Sequence, residues 1–583
     1  MTALSEHPPQ ASDTPIAPVP TAARRRWLFA AGVPTLLTGL HATAYGSWIV
    51  DDAGLSFAYA RSLATGAGPV LQAGAEPVEG FSNPAWVAIL VVGRWVGLFD
   101  RGTLFGTPDV VLFPKLVALL CCFGIFAAMY AIANSVTARP VLVTIIGGAA
   151  TSAVPSFVIW TTSGLENALF ALSVTALAAV LTCAALDGRL LVTKTAVLAG
   201  LLAALAALTR PDGIVYAAAL PIAAALTVTW PTVRPTVRAC ALSLSAFVVP
   251  TALYLLWRLV TFGDYLPNTA RAKEQGLPSF AALNRARELA DYVGLLPICI
   301  AVAVVAVALS RPSPIRTAVV TVLVPLGLAA VGFAFLRPDW MGQLRFATPV
   351  WPLAAIVVTL SAVQVLRVVS TRGRVVMVTL AVIASVSAMN LFSQWHNAFL
   401  NEPTVGVCNI AQNHGYLFNG YADILGIREG TLLAVDGGGT GLTSRLRFVD
   451  LSGLADRHIA SFWQNDDMSG LRDYVLDDVR PTFVKLFAGW AERERLALAE
   501  DPRFARDYLL MFTGAPGGGE WVRRDVKPDH ARLEEARLWG ADGWDLVTGR
   551  YRAGEPPVWW CGATLRPTPF RDRSPAPSPM EGS

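Results

Sequence analysis

The stretch Arg24-Arg25-Arg26-Trp27-Leu28-Phe29-Ala30-Ala31, running on to Trp48-Ile49-Val50-Asp51-Asp52-Ala53, decides how this chain is read. Between the last arginine and the first aspartate lie 24 residues, 27–50, with no Asp, Glu, Lys or Arg. The apolar core of a cleaved signal peptide has ~7–15 residues, whereas a bilayer-crossing helix needs ~20, so the stretch reads as a retained first span. The three arginines keep residues 1–26 in the cytoplasm. The two carboxylates at the far end then stand on the outer side of the membrane.

The rest of the chain agrees. Of 583 residues, 54% are hydrophobic and 15% charged, against about 25% charged in ordinary soluble proteins, and the mean hydropathy is +0.49. Residues 401–583 carry 21 Lys/Arg and 26 Asp/Glu, while the first 400 carry 25 and 16. A lipid-embedded body therefore precedes a water-facing domain, which excludes a wholly cytosolic enzyme and a single-span receptor. The net charge of +4 gives no case for nucleic acid as a partner.

Further apolar runs occupy 84–99, 111–133, 141–160, 168–185, 196–208, 214–229, 239–260, 293–309, 317–336, 349–366 and 375–395. With the first span they predict about twelve crossings. Basic residues mark every second connection, at Arg189/Lys194, Arg234/Arg238, Arg311/Arg316 and Arg367/Arg372/Arg374, as cytoplasmic. The segments 51–83, 161–166, 210–213, 261–292, 337–348 and everything from 396 onward then face outward. Three runs separate the first two of these segments, and the parity requires an even number. Either 141–160, broken by Gly147-Gly148 and Pro155, is a re-entrant pair of half-helices, or 84–99, with Arg94, stops short of spanning.

The expected fold is a polytopic α-helical membrane protein with a C-terminal extracytoplasmic α/β domain. Its parts are a disordered N-terminus at 1–26, a membrane domain at 27–395, the outer domain at 396–570 and a disordered Pro/Ser-rich tail at 571–583. The outer domain shows strand patterns at 431–435, 446–451 and 482–487, and helical ones at 471–478 and 491–500. Asp436-Gly437-Gly438-Gly439-Thr440-Gly441 follows a strand like a nucleotide-binding fingerprint. Only ten residues separate Val435 from Leu446, which leaves little room for a crossover helix, and a glycine-rich turn is expected. The six histidines are scattered and form no metal-ligand pattern. Cys408 and Cys561, the two cysteines of the outer domain, flank it on the oxidising side and predict a disulfide, with two free thiols as the alternative.

Polar residues gather in the outward segments. Asp51 and Asp52 are adjacent like charges, which raises one pKa and suits a general base; a solvated helix end is the simpler reading of the pair alone. Ser163 and Glu166 match a capping box. Arg210, beside Pro211 and Asp212, needs a partner or a wet cavity at membrane depth. Asn268, Arg271 and Lys273 follow in the next outward segment and Arg345 in the last. Snorkelling accounts for each basic residue singly, but their accumulation on one side argues for an anion.

Trp48-Ile49-Val50-Asp51-Asp52-Ala53, Tyr59-Ala60-Arg61, Pro77-Val78-Glu79-Gly80-Phe81-Ser82-Asn83, Ser163-Gly164-Leu165-Glu166, Leu208-Thr209-Arg210-Pro211-Asp212-Gly213, Gly263-Asp264-Tyr265-Leu266-Pro267-Asn268-Thr269 and Arg345-Phe346 together resemble the GT-C glycosyltransferases that use polyprenyl-phosphate sugars. Among these the chain most resembles the actinobacterial cell-envelope arabinofuranosyltransferases, and residues 449–459 resemble their outer domain. Gly54 and Ala58 depart from the pattern, where a larger aliphatic and a basic residue are expected.

The resemblance implies an inverting transferase in the plasma membrane. It moves a sugar, arabinofuranose before mannose, from a polyprenyl-phosphate donor to a cell-envelope glycan acceptor. Asp51 or Asp52 would be the base, with Asp51 preferred. Arg210, Lys273, Arg345 and Asn268 would hold the donor, and Tyr59, Arg61, Glu79, Ser82, Asn83 and Glu166 would contact substrate. Phe81 and Trp86 would help wall the sugar site. No cofactor is implied with certainty, and a divalent cation is left open. A transporter or flippase of lipid-linked saccharides is the competing class, and an envelope-assembly protein with a dead active site the third.

Overall fold

The computed structural model describes residues 21–272, 285–336, 340–487, 496–514, 518–526, 528–552 and 561–571. Most of the expected N-terminal segment and tail, and Lys273, lie outside them. The chain is mostly helical. It opens with α1 (Thr21–Ala42), α2 (Asp51–Ala64), α3 (Pro84–Trp95), α4 (Asp109–Val136), α5 (Pro140–Ala153), α6 (Pro155–Thr161), α7 (Asn167–Leu186) and α8 (Thr193–Thr209). It continues with α9 (Ala219–Ala225), α10 (Val233–Phe262), α11 (Asn268–Ala272), α12 (Arg285–Val293), α13 (Leu295–Leu309), α14 (Pro314–Phe335), α15 (Val350–Val368) and α16 (Thr371–Asn401).

Among the described residues six helices are long and apolar enough to cross a bilayer: α4, α7, α14, α15, α16 and α10 with the short turn before it. Two bent pairs, α5–α6 at 80° and α12–α13 at 99°, raise the number to eight if each is one span. The sequence runs at 84–99, 196–208 and 214–229 give shorter helical segments. The first run is helical only to Ala42; the chain turns at Gly46, where φ is 52°, and is no longer helical at 48–50.

Both alternatives raised by the parity of the crossings have a counterpart: α5–α6 is bent by 80°, and α3, with twelve residues, is about 18 Å long against a hydrocarbon core of ~30 Å. The segments 51–83 and 161–166 meet: Asn83 Nδ2 donates to Glu166 Oε2 at 2.7 Å and Trp86 Nε1 to the Gly164 carbonyl at 3.0 Å. Within the bundle α1 packs on α4 and α5, α7 on α4, α8 and α14, and α8 on α10. The α8–α10 approach is backbone-close, because a Cβ on Gly200 would sit 2.1 Å from the Ser243 carbonyl oxygen.

A hairpin of β1 (Thr103–Leu104) and β2 (Thr107–Pro108) precedes α4. The outer part begins with α17 (Val407–Ile410) and α18 (Leu417–Ile424) and carries a five-stranded sheet: β3 (Thr431–Ala434), β4 (Arg447–Asp450), β5 (Phe483–Leu486), β6 (Tyr508–Phe512) and β7 (Gly519–Arg523), in the order β4-β3-β5-β7-β6. Strands β3, β4 and β5 are parallel, while β7 is antiparallel to both β5 and β6. Leu433, Val449, Ile459, Leu471, Val475 and Val484 form its second core. The expected glycine-rich turn is instead a helix, α19 (Gly437–Thr443), joining two parallel strands. Ten residues suffice because the helix has only two turns. Of the expected helix at 491–500, only the end is described, and Leu498–Glu500 is a 3-10 turn. Cys408 and Cys561 are joined, with Cα atoms 5.4 Å apart and 153 residues between them in sequence.

Candidate functional site

Helix α2 starts at Asp51 because the residues before it are pinned on two sides. Val50 N–H donates to the Ser163 carbonyl at 3.0 Å, Asp51 N–H to Val405 O at 3.0 Å, and Val407 N–H to Ile49 O at 2.9 Å. The helix start is thus clamped between the segment at 161–166 and the residues that follow α16. Successive helical residues point about 100° apart, so the two adjacent carboxylates separate.

Asp51 turns toward the outer domain and is buried. Its carboxylate accepts from Gly438 N–H at 3.2 Å and Gly439 N–H at 2.7 Å, at the start of α19. Backbones meet here: a Cβ on Gly438 would lie 1.9 Å from Asp51 O, and one on Gly54 would lie 2.7 Å from the Gly438 carbonyl carbon. Gly54, a departure from the expected pattern, is therefore dictated by the contact, and Ala58 is buried in the same helix. Burial, the nearby Asp436 and then Asp52 push the Asp51 carboxyl well above the ordinary carboxylate range, against the two backbone donors. Burial and Asp52 likewise raise Asp436 to about 7.

Asp52 turns the other way and lines a cavity of about 340 Å³. Ser56, Ser82, Asn83, Glu166, Arg210, Asp212, Arg345 and Phe346 are among the other walls. Glu166 organises the far side: its Oε1 accepts from Arg210 Nη1 at 3.2 Å and Arg345 Nη2 at 3.3 Å, and its Oε2 from Asn83. Arg210 Nε also reaches Asp212 Oδ1 at 2.9 Å. The Phe346 ring lies beneath both guanidiniums, 4.5 Å from that of Arg210 and 5.7 Å from that of Arg345. Burial alone would raise the Glu166 pKa, but Arg345 and Arg210 overcome it and hold the carboxyl below the usual range. Glu166 is a partner of two cations here, beyond the capping role read from the sequence; its side chain makes no cap bond to α7.

The structure therefore brings Asp52, Ser82, Asn83, Glu166, Arg210 and Arg345 to one cavity, with Phe81. Other expected substrate contacts do structural work around it. Tyr59 OH donates to Val78 O at 2.7 Å and accepts from Gly80 N–H at 3.1 Å, shaping the wall from behind. Glu79 accepts from Tyr254 OH and Arg258 Nε, each at 2.5 Å. Trp86 is fully buried under Gly164. Asn268 Nδ2 donates to Gly453 O at 2.6 Å and Leu454 O at 3.0 Å, tying α11 to the outer domain. Arg61 clamps Asp100 through Nε and Nη2, both at 2.7 Å, and also reaches Leu442 O and Leu565 O. Tyr59, Glu79, Asn268 and Arg61 thus meet protein partners, and none of the four is among the residues that line this cavity. Asp100 and Arg258 escaped the sequence reading, since no motif marks them, and the glycines of α19 were read as a turn and not as donors to Asp51. Among the described residues no three His, Cys, Asp or Glu side chains converge to hold a metal ion.

No family model matches the chain, and no curated protein matches it in sequence. Solved structures share its shape. ArnT from Cupriavidus metallidurans bound to undecaprenyl phosphate superposes with a TM-score of 0.53 at 15% identity, over 86% of this chain and 98% of ArnT. Apo ArnT gives 0.54 at 16% identity with the same coverage. AglB from Archaeoglobus fulgidus, in complex with an inhibitory peptide and a dolichol-phosphate, is more distant, with a TM-score of 0.48 at 10% identity over 86% of this chain and 74% of AglB. These identities speak for fold and not for substrate: the chain shares the fold of the two ArnT structures.

Proposed function

We propose that this chain is an inverting membrane glycosyltransferase that takes a sugar from a polyprenyl-phosphate donor. The observation that carries the reading is the cavity itself, lined by the Asp52 carboxylate and by the guanidiniums of Arg210 and Arg345 that Glu166 holds. That is the charge layout an in-line displacement at an anomeric carbon needs. The acceptor hydroxyl gives its proton to the Asp52 carboxylate as its oxygen bonds to the anomeric carbon. The bond from that carbon to the phosphate oxygen breaks on the opposite face, and polyprenyl phosphate departs with the electron pair. Arg210 and Arg345 stabilise the charge as it develops, and Glu166 has already oriented them, so little reorganisation is needed.

The preference between the paired carboxylates thus moves from Asp51 to Asp52, because Asp51 is engaged by Gly438 and Gly439. Lys273 remains a candidate third cation outside the described residues. The outward orientation of the cavity, the plasma-membrane location, the glycan acceptor and arabinofuranose as the sugar are carried by the arginine distribution and the motif resemblance. The undecaprenyl phosphate in one ArnT structure supports a lipid-phosphate donor.

The test is incubation of the purified protein with radiolabelled polyprenyl-phosphate arabinofuranose and a glycan acceptor. Release of polyprenyl phosphate with label on the acceptor is expected. Movement of the intact lipid-linked sugar across a vesicle, without release, would overturn the reading in favour of a flippase.

A further inference from the structure

Arg345 reaches the cavity from a backbone that has no business being comfortable. Gly342, Gln343 and Leu344 have φ of 68°, 48° and 50° in succession. Glycine adopts this left-handed region freely, but for residues with a β-carbon it is strained, at about 1–3 kcal/mol each, and persists only where surrounding structure enforces it. The enforcement is visible. Trp160 Nε1 donates to the Gln343 carbonyl at 2.9 Å, and Thr404 Oγ1 donates to the Met341 carbonyl at 2.8 Å.

The Gln343 side chain adds a second tether. Its Oε1 accepts from Tyr292 OH at 2.8 Å, and its Nε2 donates to the Trp395 carbonyl at 3.1 Å. Tyr292 is fixed in turn, accepting from Ser156 N–H at 2.9 Å and stacking on Trp395 with ring centroids 5.0 Å apart. One amide therefore joins α12 to the end of α16 two residues before a cavity guanidinium, and Trp160, which holds the Gln343 backbone, also lies under that guanidinium, 5.9 Å from its ring centroid.

We propose that Gln343 is a positioning residue: it holds the left-handed strap that aims Arg345 at the phosphate of the donor. This rests on the assignment of Arg345 to the donor phosphate made above. A strap that was only a fold element would affect stability; a positioning strap also governs affinity for the leaving anion. Two glycine variants separate these roles, since both relieve backbone strain but only one removes the tether.

The experiment measures thermal stability, undecaprenyl phosphate affinity and the KM and kcat of transfer for Gln343→Gly, Leu344→Gly and Gln343→Glu. Gln343→Gly is expected to weaken undecaprenyl phosphate binding and raise donor KM by ~10-fold or more while the protein stays folded. Leu344→Gly, which keeps the tether, should leave both within about two-fold. Gln343→Glu keeps the acceptor for Tyr292 and loses the donor to Trp395, and should fall between them. Unchanged carrier affinity in folded Gln343→Gly would overturn the positioning role, as would equal losses in both glycine variants. Wild-type protein that binds the carrier but transfers nothing would instead overturn the transferase reading, with the affinity comparison still deciding the strap.

Discussion

Two places in this molecule have the same composition: one carboxylate between two arginines. Glu166 sits between Arg210 and Arg345, and Asp100 between Arg61 and Arg94. Their surroundings differ. At Asp100 Arg61 makes two 2.7 Å bonds to the carboxylate and two more to backbone carbonyls, and Arg94 bonds both the Asp100 side chain and its carbonyl. At Glu166 each guanidinium makes one longer contact to the carboxylate, Arg210 also reaches Asp212 at 2.9 Å, and both lean on an aromatic ring and border the cavity. A similar pairing is enclosed by the protein in one centre and borders a cavity in the other, where we propose that it meets an incoming anion. What separates them is the cavity.

The hardest test of that division lies across the cavity from Glu166. Asp52→Asn should lower transfer ~10²–10⁴-fold with the protein still folded, the usual contribution of a positioned base. Asp51→Asn should act mainly through loosened docking of α19, read as a lower melting temperature. Activity lost with Asp51→Asn but kept with Asp52→Asn would reverse the assignment. Next, Arg345→Ala should cost ~10²–10³-fold in kcat, the scale for removing one donor to a developing charge.

The Asp100 centre should respond in the other currency. Arg61→Ala leaves a buried carboxylate short of a partner and should lower stability by ~3–5 kcal/mol, with turnover per folded molecule near wild type. Denaturant unfolding and active-site titration together check this. A large kcat loss at full stability would erase the contrast between the centres.

The smallest effect is on pH. Asp436 is raised from 3.8 to about 7 by burial and its acidic neighbours. Between those values the folded state binds more protons at this site than the unfolded state, so stability falls as pH rises through the window. Melting temperature followed from pH 4 to 7 should show this decline, and Asp436→Asn should flatten it.

The sequence carried the helical body, three of the sheet strands, the cysteine pair and the cavity group Asp52, Asn83, Glu166, Arg210 and Arg345, because hydropathy and short motifs are local signals. Strands β6 and β7 were missed; their side chains alternate poorly, and β6 lies at the sheet edge. The preference for Asp51 over Asp52 had nothing local to correct it, since the donors that engage Asp51 are almost 390 residues away. The protein partners of Arg61, Glu79 and Asn268 were out of reach of the sequence for the same reason: Asp100, Arg258 and Gly453 lie 39, 179 and 185 residues away. The crossover helix α19 was dismissed on loop length, a rule that glycine-on-backbone packing overrides.

Arg61 also sets a clock on manufacture. Its guanidinium is completed by the carbonyl of Leu565, four residues past the cysteine that closes onto Cys408 beside the segment pinning α2. A ribosome adding ~5–20 residues per second takes roughly 25–100 s to travel from the first of these positions to the last. Throughout that interval the helix bearing Asp51 and Asp52 has been made but its final clamp has not. Chains released early, short of Cys561, should therefore carry every residue of the cavity and still lack its closure, so that only complete copies become competent.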